Sequence, residues 1–203
     1  MSDARLVHVI DDDAVRDSLR MLLSTCGFIV WTYEAATAFL EQRPVAKGGC
    51  IVTDIRMPGM SGLELAARLK ELGSSLPVII ITGHGDVPLA VEAMRAGASD
   101  FLEKPFEDVD LLRAVETALA LREEQTDRAV LRATVTERRR SLSEREHQVL
   151  DGLVAGKANE AIAEELGISH RTVEIYRAHV MSKMQAGSLS ELVRMVMMLQ
   201  QEC

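Results

Sequence analysis

A doubly wound α/β domain followed by a small all-α domain is the fold class that the 203-residue sequence predicts. From residue 6 to about 121, apolar runs alternate five times with amphipathic helical stretches, the pattern of a parallel sheet covered by helices on both faces. From Ser141 onward the strands stop, and short helices follow one another through Gly-containing turns. Between them, residues 123–140 (EEQTDRAVLRATVTERRR) carry charge, lack Gly and Pro and keep helix formers throughout, so they are expected to extend the fifth helix as a linker. The expected divisions are therefore 1–122, 123–140 and 141–203.

The first strand is Val-His-Val-Ile over 7–10, running into Asp11, Asp12 and Asp13. Ala14 to about Cys26 follows as a helix, with Val15, Leu19, Leu22 and Leu23 on one face and Gly27 as its stop. Phe28 to Tyr33 reads as the second strand, and Glu34 to Glu41 as a short helix closed by Pro44. Gly48-Gly49 leads into the third strand, which ends at Asp54. Met57-Pro58-Gly59 breaks the chain, and Ser61 caps a helix carrying Leu63, Leu65, Ala66 and Leu69. The fourth strand, Val-Ile-Ile-Ile over 78–81, meets Thr82 and a loop, Gly83-His84-Gly85-Asp86, that ligand binding would pull. A helix over Pro88 to Ala96, a strand around Phe101 and a long helix from Glu107 complete five units, whose right-handed crossovers give a flavodoxin-like (βα)5 sheet.

In the second domain, Ser143 followed by Glu146 is a capping box opening a helix through Val154. A second helix is expected from about Asn159 to Leu166, a third after Ser169 and a fourth from about Ser190 to Leu199. Gly167 supplies the turn of a helix-turn-helix.

Composition removes several function classes. A formal charge of -8 argues against coating nucleic acid indiscriminately, and Cys26, Cys50 and Cys203 have neither metal-ligand spacing nor a disulfide pattern. No apolar run approaches a membrane span, and no signal segment is visible, so a cytoplasmic protein without a membrane partner is expected. Gly83-His84-Gly85 is too short to cradle a nucleotide and no nucleophile–base constellation appears, so no enzyme activity is expected.

The chemistry lies at the strand ends. In a parallel sheet the carboxyl ends lie side by side, bringing Asp11, Asp12, Asp54, Thr82 and Lys104 to one crevice. Clustered carboxylates repel one another and need a cation, and an all-oxygen donor set favours a divalent ion such as Mg2+. Asp54 stands alone at the central strand's end, so it is the candidate nucleophile toward a phosphoryl group, with Asp11 and Asp12 facing the metal. Lys104 can pair with the phosphate and the Thr82 hydroxyl can donate to it. Asp13 reads equally as a first-turn carboxylate favouring a helix amino terminus.

Over residues 5–122 the chain resembles the response-regulator receiver domains, through Asp11-Asp12-Asp13, the DIRMPG segment from Asp54 to Gly59, Thr82-Gly83 and Lys104-Pro105-Phe106. The resemblance implies that Asp54 is the phosphoacceptor and that Asp11 and Asp12 hold Mg2+ with the backbone carbonyl of Arg56. It implies that Lys104 and Thr82 contact the phosphoryl group, that Phe101 is the aromatic switch residue and that Lys104-Pro105 is a cis peptide. A sensor histidine kinase is the implied phosphoryl donor.

Charge in the second domain is local. Residues 141–203 hold six basic and nine acidic residues, whereas 170–184 hold Arg171, Arg177 and Lys183 against Glu174. One such module should bind DNA weakly, and two on adjacent half-sites tightly. Ser141 to about Leu199 resembles the LuxR-type effector domain through LSEREHQVLDGLVAGKANEAIAEELGISHRTVEIYRAHVMSKM. That implies double-stranded DNA as partner, with Glu174, Ile175 and Ala178 facing base edges and Arg171, Thr172, Arg177, His179 and Lys183 at phosphates or the groove. His179 reads equally as a partly buried packing residue, and His170 as an exposed first-turn residue.

Together the segments are similar to the FixJ group of two-domain regulators, which implies a homodimer on phosphorylation through the face around Val87 to Phe101. Val87, Leu89, Val91 and Met94 on that face read equally as core, and Val130, Leu131 and Val135 form a candidate pairing stripe on the linker. The resulting expectation is a transcription factor switched by phosphorylation, with RNA polymerase a further partner compatible with it. The alternatives are a phosphorelay output module acting through protein contacts and a DNA binder independent of phosphorylation.

Overall fold

The computed structural model describes residues 5–42, 48–83 and 87–200, which divide into two compact units, Met1–Gln125 and Thr126–Cys203. Pro44, the residues His84 to Asp86 of the loop after Thr82, and Cys203 lie outside the described residues.

The first unit is built on five parallel strands: β1 (Leu6–Ile10), β2 (Ile29–Tyr33), β3 (Cys50–Asp54), β4 (Val78–Thr82) and β5 (Asp100–Glu103). Their order is β2-β1-β3-β4-β5, so the direction of winding reverses between β1 and β3. The interior strands are predominantly apolar because both faces are covered, with His8 and Thr53 as buried polar exceptions. Ile10, Ile51 and Ile80 pack with Phe39, Leu65 and Leu69 on one face. Val7, Val9, Val52 and Ile79 pack with Leu19, Leu23, Leu111 and Val115 on the other. Each such side chain contributes roughly 1.5–3 kcal/mol on burial, so the strands that carry the polar ends are firmly held.

The helices of this unit are α1 (Asp13–Thr25), α2 (Ala36–Gln42), α3 (Gly62–Glu71), α4 (Val87–Ala96) and α5 (Asp108–Arg140). At the start of α3, Ser61 and Glu64 form a reciprocal capping box. The α4 face differs from a core surface: Val91 and Met94 are exposed, while Leu89 is half-buried. The segment 123–140 is indeed helical, as the carboxyl-terminal part of α5.

The second unit contains α6 (Glu144–Val154), α7 (Asn159–Leu166), α8 (His170–Met184) and α9 (Leu189–Gln200). Ser143 and Glu146 form the expected capping box, Gly167 closes α7 in the left-handed conformation (φ 63°), and Ser169 caps α8. Val149, Leu150, Ile162, Val173, Val180 and Leu192 form the core.

One expectation for the linker is corrected. Val130 and Leu131 are exposed, but Val135 is fully buried in this second core and so cannot share a pairing stripe with them. Arg138 donates to Met184 O at 3.2 Å, fastening the end of α5 to the carboxyl terminus of α8, where a cation is electrostatically favoured. The last turns of α5 are therefore structural parts of the second domain.

Candidate functional site

Asp11 directly follows β1, Asp54 ends β3, Thr82 ends β4 and Lys104 directly follows β5, so backbone register alone brings them to one edge of the sheet. Asp11 and Asp54 flank the point where the winding reverses, which is where an open α/β sheet leaves a crevice. Lys104 reaches across the end of β4. Its Nζ donates to Asp54 Oδ2 at 3.0 Å and to Asp11 Oδ2 at 3.3 Å. Lys104 N donates to Thr82 O at 2.7 Å, which fixes the origin of the side chain, and the Lys104-Pro105 peptide is cis.

The electrostatics follow from this packing. Asp11 is almost wholly buried, and burial raises its pKa, with the neighbouring Asp54 charge adding to the rise while Asp12 N–H and Lys104 oppose it. For Lys104, burial acts to lower the pKa but is outweighed by the Asp54 hydrogen bond and the two carboxylates, so the ammonium is held above its usual range. Asp54 Oδ1 accepts the Arg56 N–H at 3.1 Å, leaving its carboxylate bonded on both oxygens and partly open to solvent. Thr82 is buried, and Phe101 is half-buried against the core.

Asp12 is placed differently from its neighbour. Its Oδ1 accepts the Val15 N–H at 3.0 Å, capping α1, and it is exposed. Among the described residues no three acidic, His or Cys groups stand together as a metal cluster. Asp11 and Asp54 nevertheless converge on one cation, and Mg2+ is commonly held by one or two carboxylates while keeping its waters. Two carboxylates thus form a chemically fitting donor set. Asp13 pairs with Arg16 in the first turn of α1.

Two further residues shape this crevice. Arg16 Nη1 donates to Asp11 O at 3.3 Å and to Tyr33 O at 3.5 Å, tying the ends of β1 and β2 together. A Cβ on Gly62 would lie 2.4 Å from Asp54 O, so α3 begins against the backbone of Asp54 in a way only glycine permits. Neither was singled out from sequence, although a glycine directly after a capping serine is a visible signal of close approach. Inside β1, His8 is fully buried: Nε2 donates to Gly48 O at 3.0 Å, Nδ1 lies 3.1 Å from the Tyr33 hydroxyl, and burial lowers its pKa.

In the second unit α8 presents Arg171, Glu174, Ile175 and Ala178 to solvent, and Ile175 is 49% exposed, high for an isoleucine and in keeping with a contact surface. Thr172 is half-buried, its hydroxyl 2.7 Å from Ser169 Oγ within the helix cap. His179 is exposed, which decides against the packing reading, and its Nδ1 lies 3.6 Å from Glu146 Oε1. His170 is exposed beside Glu160 and Glu174. Arg177 is half-buried, one turn on from Glu174, and lines a hollow with Leu153, Asn159 and His170. Lys183 is engaged, donating to Glu146 Oε2 at 2.7 Å.

Two family profiles match the chain: "Response regulator receiver domain" over residues 7–116 and "Bacterial regulatory proteins, luxR family" over residues 140–196. The transcriptional regulatory protein FixJ of Azorhizobium caulinodans is 54% identical over 199 residues, covering 98% of this chain and 94% of that protein. The response regulator protein TodT of Pseudomonas putida is 43% identical, covering 96% of this chain and 86% of that one. Among solved structures, the response regulator StyR superposes with a TM-score of 0.82 at 44% identity, covering 95% of this chain and 98% of that chain. Full-length FixJ from B. japonicum gives a TM-score of 0.60 at 51% identity, with 98% of both chains covered.

Proposed function

Because the chain belongs to the response regulators that join a receiver domain to a LuxR-type DNA-binding domain, and is a phosphorylation-dependent transcriptional regulator rather than an enzyme, we propose that Asp54 is the residue that carries its switch. The observation that supports this most directly is the Lys104 ammonium, 3.0 Å from Asp54 Oδ2 and fixed there by a buried backbone. It neutralises charge where the phosphoryl oxygens would develop it.

In the proposed transfer, an Asp54 carboxylate oxygen forms a bond to phosphorus while the bond to the kinase imidazole nitrogen breaks and that nitrogen keeps the electron pair. The product is an aspartyl phosphate. Receiver domains generally bind Mg2+ at this site; here Asp11, Asp12 and Asp54 with the Arg56 carbonyl would hold it, Asp12 while its Oδ1 caps α1. Bound, it supplies positive charge to the phosphoryl oxygens. Lys104 orients the phosphoryl group, and Thr82 and Phe101 respond to it from β4 and β5.

The response reaches DNA through pairing. Val91 and Met94, exposed on α4, supply apolar area for a homodimer of receivers, and a dimer presents two α8 helices to a two-fold site. Arg171, Glu174, Ile175 and Ala178 face the bases and backbone, flanked by Thr172, His179 and Lys183. Arg177, half-buried one turn on from Glu174, is a phosphate or groove contact at the flank of α8. A histidine kinase and DNA are thus the partners, and an RNA polymerase contact is compatible with this arrangement. Among the described residues no helix is long and apolar enough to cross a membrane.

Phosphorylation with acetyl phosphate and Mg2+ tests the assignment. The wild type should acquire an acid-stable, alkali-labile label that Asp54→Asn lacks; equal labelling of both would show that Asp54 is not the acceptor.

A further inference from the structure

Glu146 occupies the third position of α6, where it completes the capping box by accepting the Ser143 N–H at 2.7 Å. A neutral glutamine serves a capping box equally well, so the cap does not explain a carboxylate. The charge is explained by α8. Lys183 Nζ donates to the same Oε2 at 2.7 Å, and His179 Nδ1 stands 3.6 Å from Oε1. The Glu146 side chain is only 5% exposed, whereas those of Lys183 and His179 are 42% and 57% exposed. A buried carboxylate therefore sits directly beneath two groups of the helix that reads DNA.

This changes the charge that α8 offers. Of its three cations, Arg177 is half-buried and Lys183 is neutralised at hydrogen-bonding distance. Among the described residues Lys183 is the α8 cation paired with a carboxylate, whereas Arg171 and Arg177 are not, and Glu174 lies on the same helix. Binding to arbitrary duplex is driven by neutralising phosphates, so a paired lysine contributes little to it.

We propose that Glu146 is a specificity-determining residue, an internal counterion that holds the Lys183 ammonium off the phosphates of non-cognate DNA and so keeps sequence-independent binding weak. This rests on the reading of α8 as the DNA-contacting helix. Weak background binding is what makes pairing of two modules decisive, since neither α8 then clings to arbitrary DNA alone.

The experiment measures binding of the full-length protein to a non-cognate duplex as salt is raised from about 50 to 200 mM, for the wild type, Glu146→Gln and Glu146→Gln/Lys183→Met. Freeing one lysine should steepen the dependence of log K on log salt by about 0.9, so that affinity falls about threefold further over this range. Glu146→Gln should also bind more tightly than the wild type at low salt, and the double variant should return to the wild-type slope. Weaker binding by Glu146→Gln with an unchanged slope would reduce Glu146 to a packing residue and overturn the proposal. Should Glu146→Gln lose its helical circular dichroism, wild-type Lys183 is followed by acetylation and mass spectrometry. Its labelling rate should be unaffected by non-cognate duplex, and protection would overturn the proposal. Absence of salt-dependent binding by every form would instead refute the assignment of α8 to DNA.

Discussion

Replacing Gly62 with alanine perturbs the phosphoacceptor without touching its side chain. A Cβ at this position would meet Asp54 O at 2.4 Å, with Asp54 C and Thr53 Cγ2 both at 3.1 Å. Comfortable contact requires about 3.5 Å, so α3 and the end of β3 must part by about 1 Å. The carbonyl cannot swing aside freely, because Asp54 is the last residue of a strand buried between β1 and β4. Two effects oppose each other in stability. Alanine favours the helix over glycine by up to about 1 kcal/mol, while overpacking costs about 1–3 kcal/mol, so Gly62→Ala should be destabilised by about 0–2 kcal/mol. Phosphorylation should suffer more. Asp54 and Lys104 are set at 3.0 Å, and a 1 Å misplacement of a reacting group costs on the order of 10²-fold in rate. Urea denaturation reads the first quantity, and the initial rate of labelling by acetyl phosphate reads the second. A variant that labels at the wild-type rate, whatever its stability, would refute the claim that the α3 approach holds Asp54 in place.

Val135→Ala should destabilise the second domain by about 2 kcal/mol in urea melts while leaving self-association of the folded protein unchanged, because Val135 lies in that core. Glu146 has its pKa lowered from 4.5 to about 2, chiefly by the Lys183 hydrogen bond. Since the folded-state pKa is depressed, its contribution is complete above pH 4.5 and lost as pH falls toward 2. Allowing for the half-exposed Lys183, this contribution is about 1–2 kcal/mol. The stability gap between wild type and Glu146→Gln should thus shrink from pH 6 to pH 3, and a constant gap would refute it. Burial pushes the Cys50 thiol up to about 12, so iodoacetamide at mildly alkaline pH should modify exposed Cys26 and spare Cys50, read by peptide mass mapping.

Much of the receiver site is legible in the sequence because a parallel sheet converts chain order into position. Once 7–10, 50–53 and 78–81 are strands, the residues at their carboxyl ends must meet, whatever packs around them. Helix caps are equally local: Ser61 with Glu64 and Ser143 with Glu146 are written within four residues and appear as expected. The exposure of Val91 and Met94 was less legible, since an apolar residue on an amphipathic helix reads the same whether it faces a core or a partner.

What the sequence by itself determined is the strand ends, the helix-turn-helix and the two-part plan, all set by periodicity and by backbone rules acting over a few residues. Tertiary structure alone decided that Val135 belongs to the second core and that Gly62 touches Asp54. It also decided the state of Lys183, whose sign was plain in the sequence but whose counterion stands 37 residues away on α6. Charge is a property of a residue, whereas free charge depends on which groups the folded backbone brings within hydrogen-bonding distance.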